Sequence, residues 1–139
     1  ADSAYIKRMF KDDFEIVKYK SEVIADSFMV NDFIAIAHFN REIDGSTLIA
    51  SQAADDLLNI KGVMASFVLT RANNKIHISG RSLGDISVQL ILERIGGGGH
   101  LTAAATQLDM SMENAEEMLR KAINEYIREE EKNESNTNR

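Results

Sequence analysis

Apolar residues open the chain at helical spacing, with Ile6, Met9, Phe10, Phe14 and Val17 separated by charged positions. That stripe predicts a helix over residues 3–20 that packs on the domain following it. The period then shortens. Residues 23–30 and 33–39 read as strands joined by a tight turn at Asn31-Asp32. In the second, Phe33, Ala35, Ala37 and Phe39 alternate with Ile34, Ile36 and His38, so both faces are mostly apolar, as in a strand inside a sheet. His38 on such a strand reads as a hydrogen-bonded structural histidine. Ser46 is expected to cap a helix over 46–58 that turns Ala50, Ala53, Ala54, Leu57 and Leu58 inward. Residues 63–70 and 75–81 form a hairpin around Ala72-Asn73-Asn74. Asp85 then caps a helix over 85–95 with Val88, Ile91, Leu92 and Ile95 as its buried stripe. After a strand over 105–109, Ser111 opens a long helix over 111–128, with Ala115, Met118, Leu119, Ala122, Ile123 and Tyr126 on one side.

This alternation, with one hairpin in it, predicts an α/β (α+β) fold. A mixed sheet of about five strands is covered by helices, with an N-terminal linker helix and a long C-terminal helix. The divisions expected are a linker helix over 1–22, a globular domain over 23–128 and a disordered, charged tail over 129–139.

Charge narrows the function classes. Sixteen basic against twenty-two acidic side chains in 139 residues leave a net charge of −6. Long nucleic acids, held by many phosphate contacts, are a poorer match to that balance than a small anion in a local pocket. No cysteine is present, so disulfides and thiolate metal sites are excluded. No apolar run approaches membrane-spanning length and no signal-peptide pattern opens the chain, so a cytoplasmic domain is expected. A start in helical sequence without an initiator methionine suggests a piece of a larger protein.

The chemistry concentrates in ERIGGGGHLTAAATQL. Each glycine in a regular element costs roughly 0.5–1 kcal/mol against alanine. One glycine suffices to end a helix; the surplus in Gly96, Gly97, Gly98 and Gly99 points to a backbone that approaches a ligand closely. The following Leu101-Thr102-Ala103-Ala104-Ala105 reads as the start of a short helix, which would make the run an anion site at a helix N-terminus with His100 as an extra donor. A purely structural turn is the other reading. On the strand over 75–81, Ile76 and Ile78 point to a core while Lys75, His77, Ser79 and Arg81 point the other way. Arg81 stands at the strand end beside Ser82 and Gly84, and its planar fork suits bidentate phosphate binding. One predicted helix separates Arg81 from the glycines, and their convergence is left open by the sequence.

The segments Ile78-Ser79-Gly80-Arg81-Ser82-Leu83-Gly84 and GGGGHLTAAA, with a helix between them, resemble the C-terminal, substrate-binding (DHH-associated) domain of the DHH phosphoesterases. The nearest likeness is to the cyclic-di-AMP phosphodiesterases of that family. No Asp-His-His triplet occurs in the chain. The resemblance therefore implies a recognition domain without the metal-bearing catalytic domain: no catalytic and no metal-ligating residue in this chain, and two divalent metals, manganese by preference, in the domain it lacks. It implies substrate contacts from Ser79, Arg81, Ser82, Gly96, Gly97, Gly98, Gly99, His100 and Thr102. The intact protein would open cyclic di-AMP to pApA and would be anchored in the cell membrane. Implied partners are a cyclic dinucleotide or short oligonucleotide, the DHH catalytic domain of the same chain and, as a further reading, a second copy in a homodimer. Two other classes stand beside this one. A single-strand nucleic-acid module of a DHH-type exonuclease or oligoribonuclease is disfavoured by acidic charge and few aromatic rings. A purely structural domain is the third.

Overall fold

The computed structural model describes residues 2–137 of the chain, and the side chains of residues 14–136. Its elements in order are α1 (Asp2–Asp26), β1 (Phe28–Val30), β2 (Ile34–Phe39), α2 (Ser46–Leu57), β3 (Ala65–Ala72), β4 (Lys75–Ser82), α3 (Val88–Glu93), β5 (Gly98–His100), β6 (Ala103–Leu108) and α4 (Met112–Thr137). The sheet has six strands in the order β1-β2-β3-β4-β6-β5, one more than expected. Only β2 and β3 run parallel; the other neighbours are antiparallel, so the sheet is mixed.

Alternation along the strands sends two apolar sets to opposite faces. Ile34, Ile36, Phe67, Leu69, Ile76 and Ile78 meet Val88, Ile91 and Leu92 of α3 and Ala115, Leu119, Ile123 and Tyr126 of α4. Ala35, Ala37, Phe39 and Val68 meet Ile49, Ala50, Ala53, Ala54 and Leu57 of α2 and Val23 of α1. The alanines of β2 and α2 allow close approach on that side. Three residues, Asn31-Asp32-Phe33, close the first hairpin and two, Asn73-Asn74, the second, with positive φ at Asn31 (52°), Asp32 (65°), Asn73 (53°) and Asn74 (62°). Asparagine and aspartate tolerate that region better than other side chains bearing a Cβ.

Several expectations are corrected. Residues 23–26 belong to α1, not to a strand, because Val23 packs on α2 and only Phe28–Val30 pairs with β2. The C-terminal end of α1 packs on the domain: Tyr19 lies edge-on to Phe39 at 5.7 Å, and Lys20 pairs with Asp56 at 3.3 Å. Of the predicted stripe, Phe14 and Val17 are 60% and 54% exposed, while Ile6, Met9 and Phe10 lie outside the residues whose side chains are described. Likewise Met118 faces outward from α4. The strand expected over 63–70 is Ala65–Ala72, and the one expected over 105–109 is Ala103–Leu108. Where a disordered tail was expected over 129–139, α4 continues to Thr137, exposed over 129–136, and Glu129 there pairs with Arg94. No helix among the described residues is long and apolar enough to cross a membrane.

His38 is the hydrogen-bonded histidine expected. Its ring bridges Asp26 at the end of α1 (Nδ1, 3.1 Å) and Glu116 on α4, which also accepts from Arg120 at 2.8 Å. Burial works against the Glu116 charge, but the hydrogen bonds from Arg120 and His38 outweigh it and hold its pKa below the ordinary carboxylate value.

Candidate functional site

Residues 83–87 do not start a helix. Leu83 donates its backbone N–H to Met64 O and Val88 donates to Leu101 O, so this stretch is tied down as a loop. The cap is therefore Ser87, not Asp85: its hydroxyl accepts from Leu90 N at 3.1 Å, and α3 is only six residues long. Ser46 is likewise no cap; Gly45 holds that position in the left-handed region and the Ser46 hydroxyl donates to Arg71 O.

The glycine run has a different fate from the one read in the sequence. Gly96, with φ of 86°, ends α3, and Gly97 N donates to Leu92 O at 2.8 Å, closing a Schellman turn. From Gly98 the chain is an edge strand, and the alanines after it are β6, not a helix. Pairing with β4 overrides alanine's helix preference here, as tertiary contacts commonly do. The glycines are what let β5 lie against β6. A methyl at Gly97 would sit 2.4 Å from Ala105 O, and one at Gly99, whose φ is 146°, would sit 2.6 Å from Ala103 O. Gly98 is unlike both in its space, since a methyl there would meet nothing within 4 Å, and unlike Gly99 its φ is not positive.

Register brings the two motifs together. Ser79 pairs with Ala105, which pairs with Gly98; Arg81 pairs with Ala103, which pairs with His100. Directly opposed residues share a face, so these two rows lie side by side on the face that carries α2. Since α2 covers β3 and β4 and not β5, a trough remains over β6 and β5. It holds about 530 Å3 and is lined by Thr47, Leu48 and Ser51 of α2, His77, Ser79 and Arg81 of β4, Gly98 and Gly99 of β5, and Ala103, Ala104 and Ala105 of β6.

Arg81 dominates its charge. Nε lies 3.1 Å from Asp55 Oδ1, and Nη1 donates to Gly80 O at 2.8 Å. Among the described residues Nη2 has no partner, so the guanidinium is steadied on two sides with one amino group unused. His77 stands deeper. Its Nε2 is 3.1 Å from Ser79 Oγ and its buried Nδ1 has no partner. Burial first, then the Arg81 charge, push its pKa below the ordinary imidazole value. Because the fold favours the neutral ring, the unfolded chain takes up the proton more readily. This contribution leaves stability untouched well above the ordinary imidazole pKa and lowers it as pH falls through that value. Melting temperatures over roughly pH 5–8, the range where histidine titrates, should therefore fall more steeply on acidification for the wild type than for His77→Gln. Parallel slopes would contradict the assignment.

Of the expected contact residues, Ser79, Arg81, Gly98 and Gly99 line the trough, and His100 ends the Arg81 row on the same face, exposed. Ser82, Gly96, Gly97 and Thr102 do not line it. Ser82 points to the opposite face, where its hydroxyl donates to Leu101 O and its N–H to Thr102 O. The α2 wall was missed. Thr47, Ser51 and Asp55 recur every four residues and so share one helical face, which is the signal that could have found them. A second depression, about 350 Å3, is lined by Glu42, Asp44, Arg71, Asn73 and Asn74 among others; its two carboxylates make it the poorer place for an anion.

Sheet order, paired helix layers and the glycine edge strand define the class of domain. Residues 28–129 match the family model described as the DHHA1 domain, and the chain belongs to that family. It is 43% identical over 128 residues to the cyclic-di-AMP phosphodiesterase PdeA of Listeria monocytogenes serotype 1/2a (strain 10403S), and 42% identical over 130 residues to the cyclic-di-AMP phosphodiesterase GdpP of Geobacillus thermodenitrificans (strain NG80-2). Each alignment covers 91% of this chain and 20% of the relative, so the chain spans about a fifth of their length. Among solved structures, an exopolyphosphatase-related protein from Bacteroides fragilis superposes with a TM-score of 0.71 at 23% identity, covering 80% of this chain and 34% of that one, a likeness of fold.

Proposed function

We propose that this chain is the substrate-holding domain of a DHH-type phosphodiesterase that opens cyclic di-AMP to pApA. One observation carries the reading: Arg81 and the glycine strand, separated in sequence by α3, line a single trough. Its volume lies in the range of small-ligand sites. The similarity to PdeA and GdpP supplies the substrate class. In this reading the free side of the Arg81 fork takes a phosphate oxygen, the small residues of β5 and β6 let the ligand lie flat on the backbone, and His100 donates from the rim. Two divalent metals in the catalytic domain would activate the attacking water. The donors of this chain do not fit that metal pair, since among the described residues no three His, Asp or Glu side chains group to hold an ion. In this reading ligand grip and hydrolysis are divided between domains, and the intact enzyme would be membrane-anchored.

Titration of the chain with cyclic di-AMP, pApA and a short single-stranded oligonucleotide at two salt concentrations tests this. Cyclic di-AMP should bind best, with a shallow salt dependence and no turnover in the presence of manganese. Preference for the oligonucleotide with a steep salt slope would favour the nucleic-acid alternative. Manganese-dependent cleavage by this chain alone would overturn the division of labour.

A further inference from the structure

The inner half of the trough differs in kind from the Arg81 end. His77 is the only residue with a ring among those lining it. Its Nε2 is fixed against Ser79 Oγ at 3.1 Å and its Nδ1 is buried and unpartnered, so the proton belongs on Nε2, donated to the serine; a buried N–H at Nδ1 would be the costlier orphan. Both nitrogens are thus engaged or covered. What the partly buried ring offers the trough is chiefly its carbon surface. On the helical wall stands Leu48, a large apolar side chain left 52% exposed. Four strand steps, about 13 Å from backbone to backbone, separate His77 from Arg81. A bare phosphate cannot span that length; a nucleotide can.

We propose that the His77 ring and Leu48 form a nucleobase subsite, with the base packed on the imidazole and against the leucine while the phosphate lies at Arg81. This deepens the proposed function and rests on it. A neutral ring suits the uncharged end of a nucleotide, where an imidazolium would draw a second phosphate instead. The burial and the Arg81 charge that disfavour protonation of His77 act in the same direction. Stacking on a single ring tolerates any base, so the subsite adds affinity for bases as a class.

The test compares cyclic di-AMP with ribose 5-phosphate, which keeps a phosphate and lacks a base, on the wild type and on Leu48→Ala, His77→Ala, His77→Phe and Arg81→Ala. Leu48 is exposed, so its truncation leaves folding intact. Leu48→Ala and His77→Ala should weaken cyclic di-AMP, with His77→Ala losing roughly five- to hundredfold, the range for loss of one stacked base. Ribose 5-phosphate should be unaffected by both. His77→Phe, which keeps a ring, should recover most of the loss, and Arg81→Ala should weaken both ligands. Equal effects of Leu48→Ala and His77→Ala on the two ligands, or no effect on either, would overturn the subsite and leave the phosphate site standing. Failure of the wild type to bind either ligand would instead remove the function on which it rests.

Discussion

Gly98→Ala should abolish most ligand binding while leaving the melting temperature of the domain unchanged. A methyl at this position meets no protein atom within 4 Å and requires no unusual φ, so the fold accommodates it. Yet the position lines the trough beside Ala105 and across from Ser79, where an added methyl takes space from a ligand lying on the backbone. Gly97→Ala should behave in the opposite sense. Its methyl would sit 2.4 Å from Ala105 O and 2.6 Å from Thr106 Cβ, so β5 must move off β6. Overpacking of this kind costs about 1–3 kcal/mol, which a thermal melt of a domain this size resolves as several degrees. Neighbouring glycines in one run thus separate a ligand role from a structural one. A purely structural turn would leave the affinity of Gly98→Ala unaltered.

Arg81→Lys should lose most of what Arg81→Ala loses, despite keeping the charge. The guanidinium is held by Asp55 at Nε and by Gly80 O at Nη1, which directs Nη2 without help from the ligand. A lysine has one nitrogen. If it keeps the Asp55 pairing it is spent there, and if it reaches the phosphate it gives up the support. A charge-assisted hydrogen bond is worth about 1.5–3 kcal/mol, or roughly ten- to a hundredfold in affinity. Calorimetric titration of the three proteins with cyclic di-AMP measures it. A lysine variant with wild-type affinity would show that charge alone suffices.

Local pattern gave away much of this fold. The face of β4 that carries His77, Ser79 and Arg81 followed from alternation, and both hairpin turns followed from paired Asn and Asp residues. What failed was non-local. The alanines after the glycine run have the best helix propensity of any residue, and nothing near them in sequence says that β4, beyond α3, is their partner. That pairing makes them a strand, puts Arg81 beside the glycines and leaves small side chains as the trough floor. The α2 wall is hidden for a related reason. Its inward alanines fix how the helix sits on β3 and β4, but the absence of cover over β5 is a property of the assembled sheet. Asp55, a solvated helix residue by pattern and still 60% exposed at its side chain, becomes part of the site only because Arg81 ends its strand underneath.

The central claim is that β4, the glycine strand and α2 bind one ligand together. It is tested most directly by following backbone amide resonances while cyclic di-AMP is titrated into the chain. Leu48, Ser51, His77, Arg81, Gly98, Gly99 and Ala105 should shift together and fit a single dissociation constant, with the loop around Asp44 and Asn73 unmoved. Shifts confined to that loop, or two groups of residues saturating at different concentrations, would contradict a shared trough.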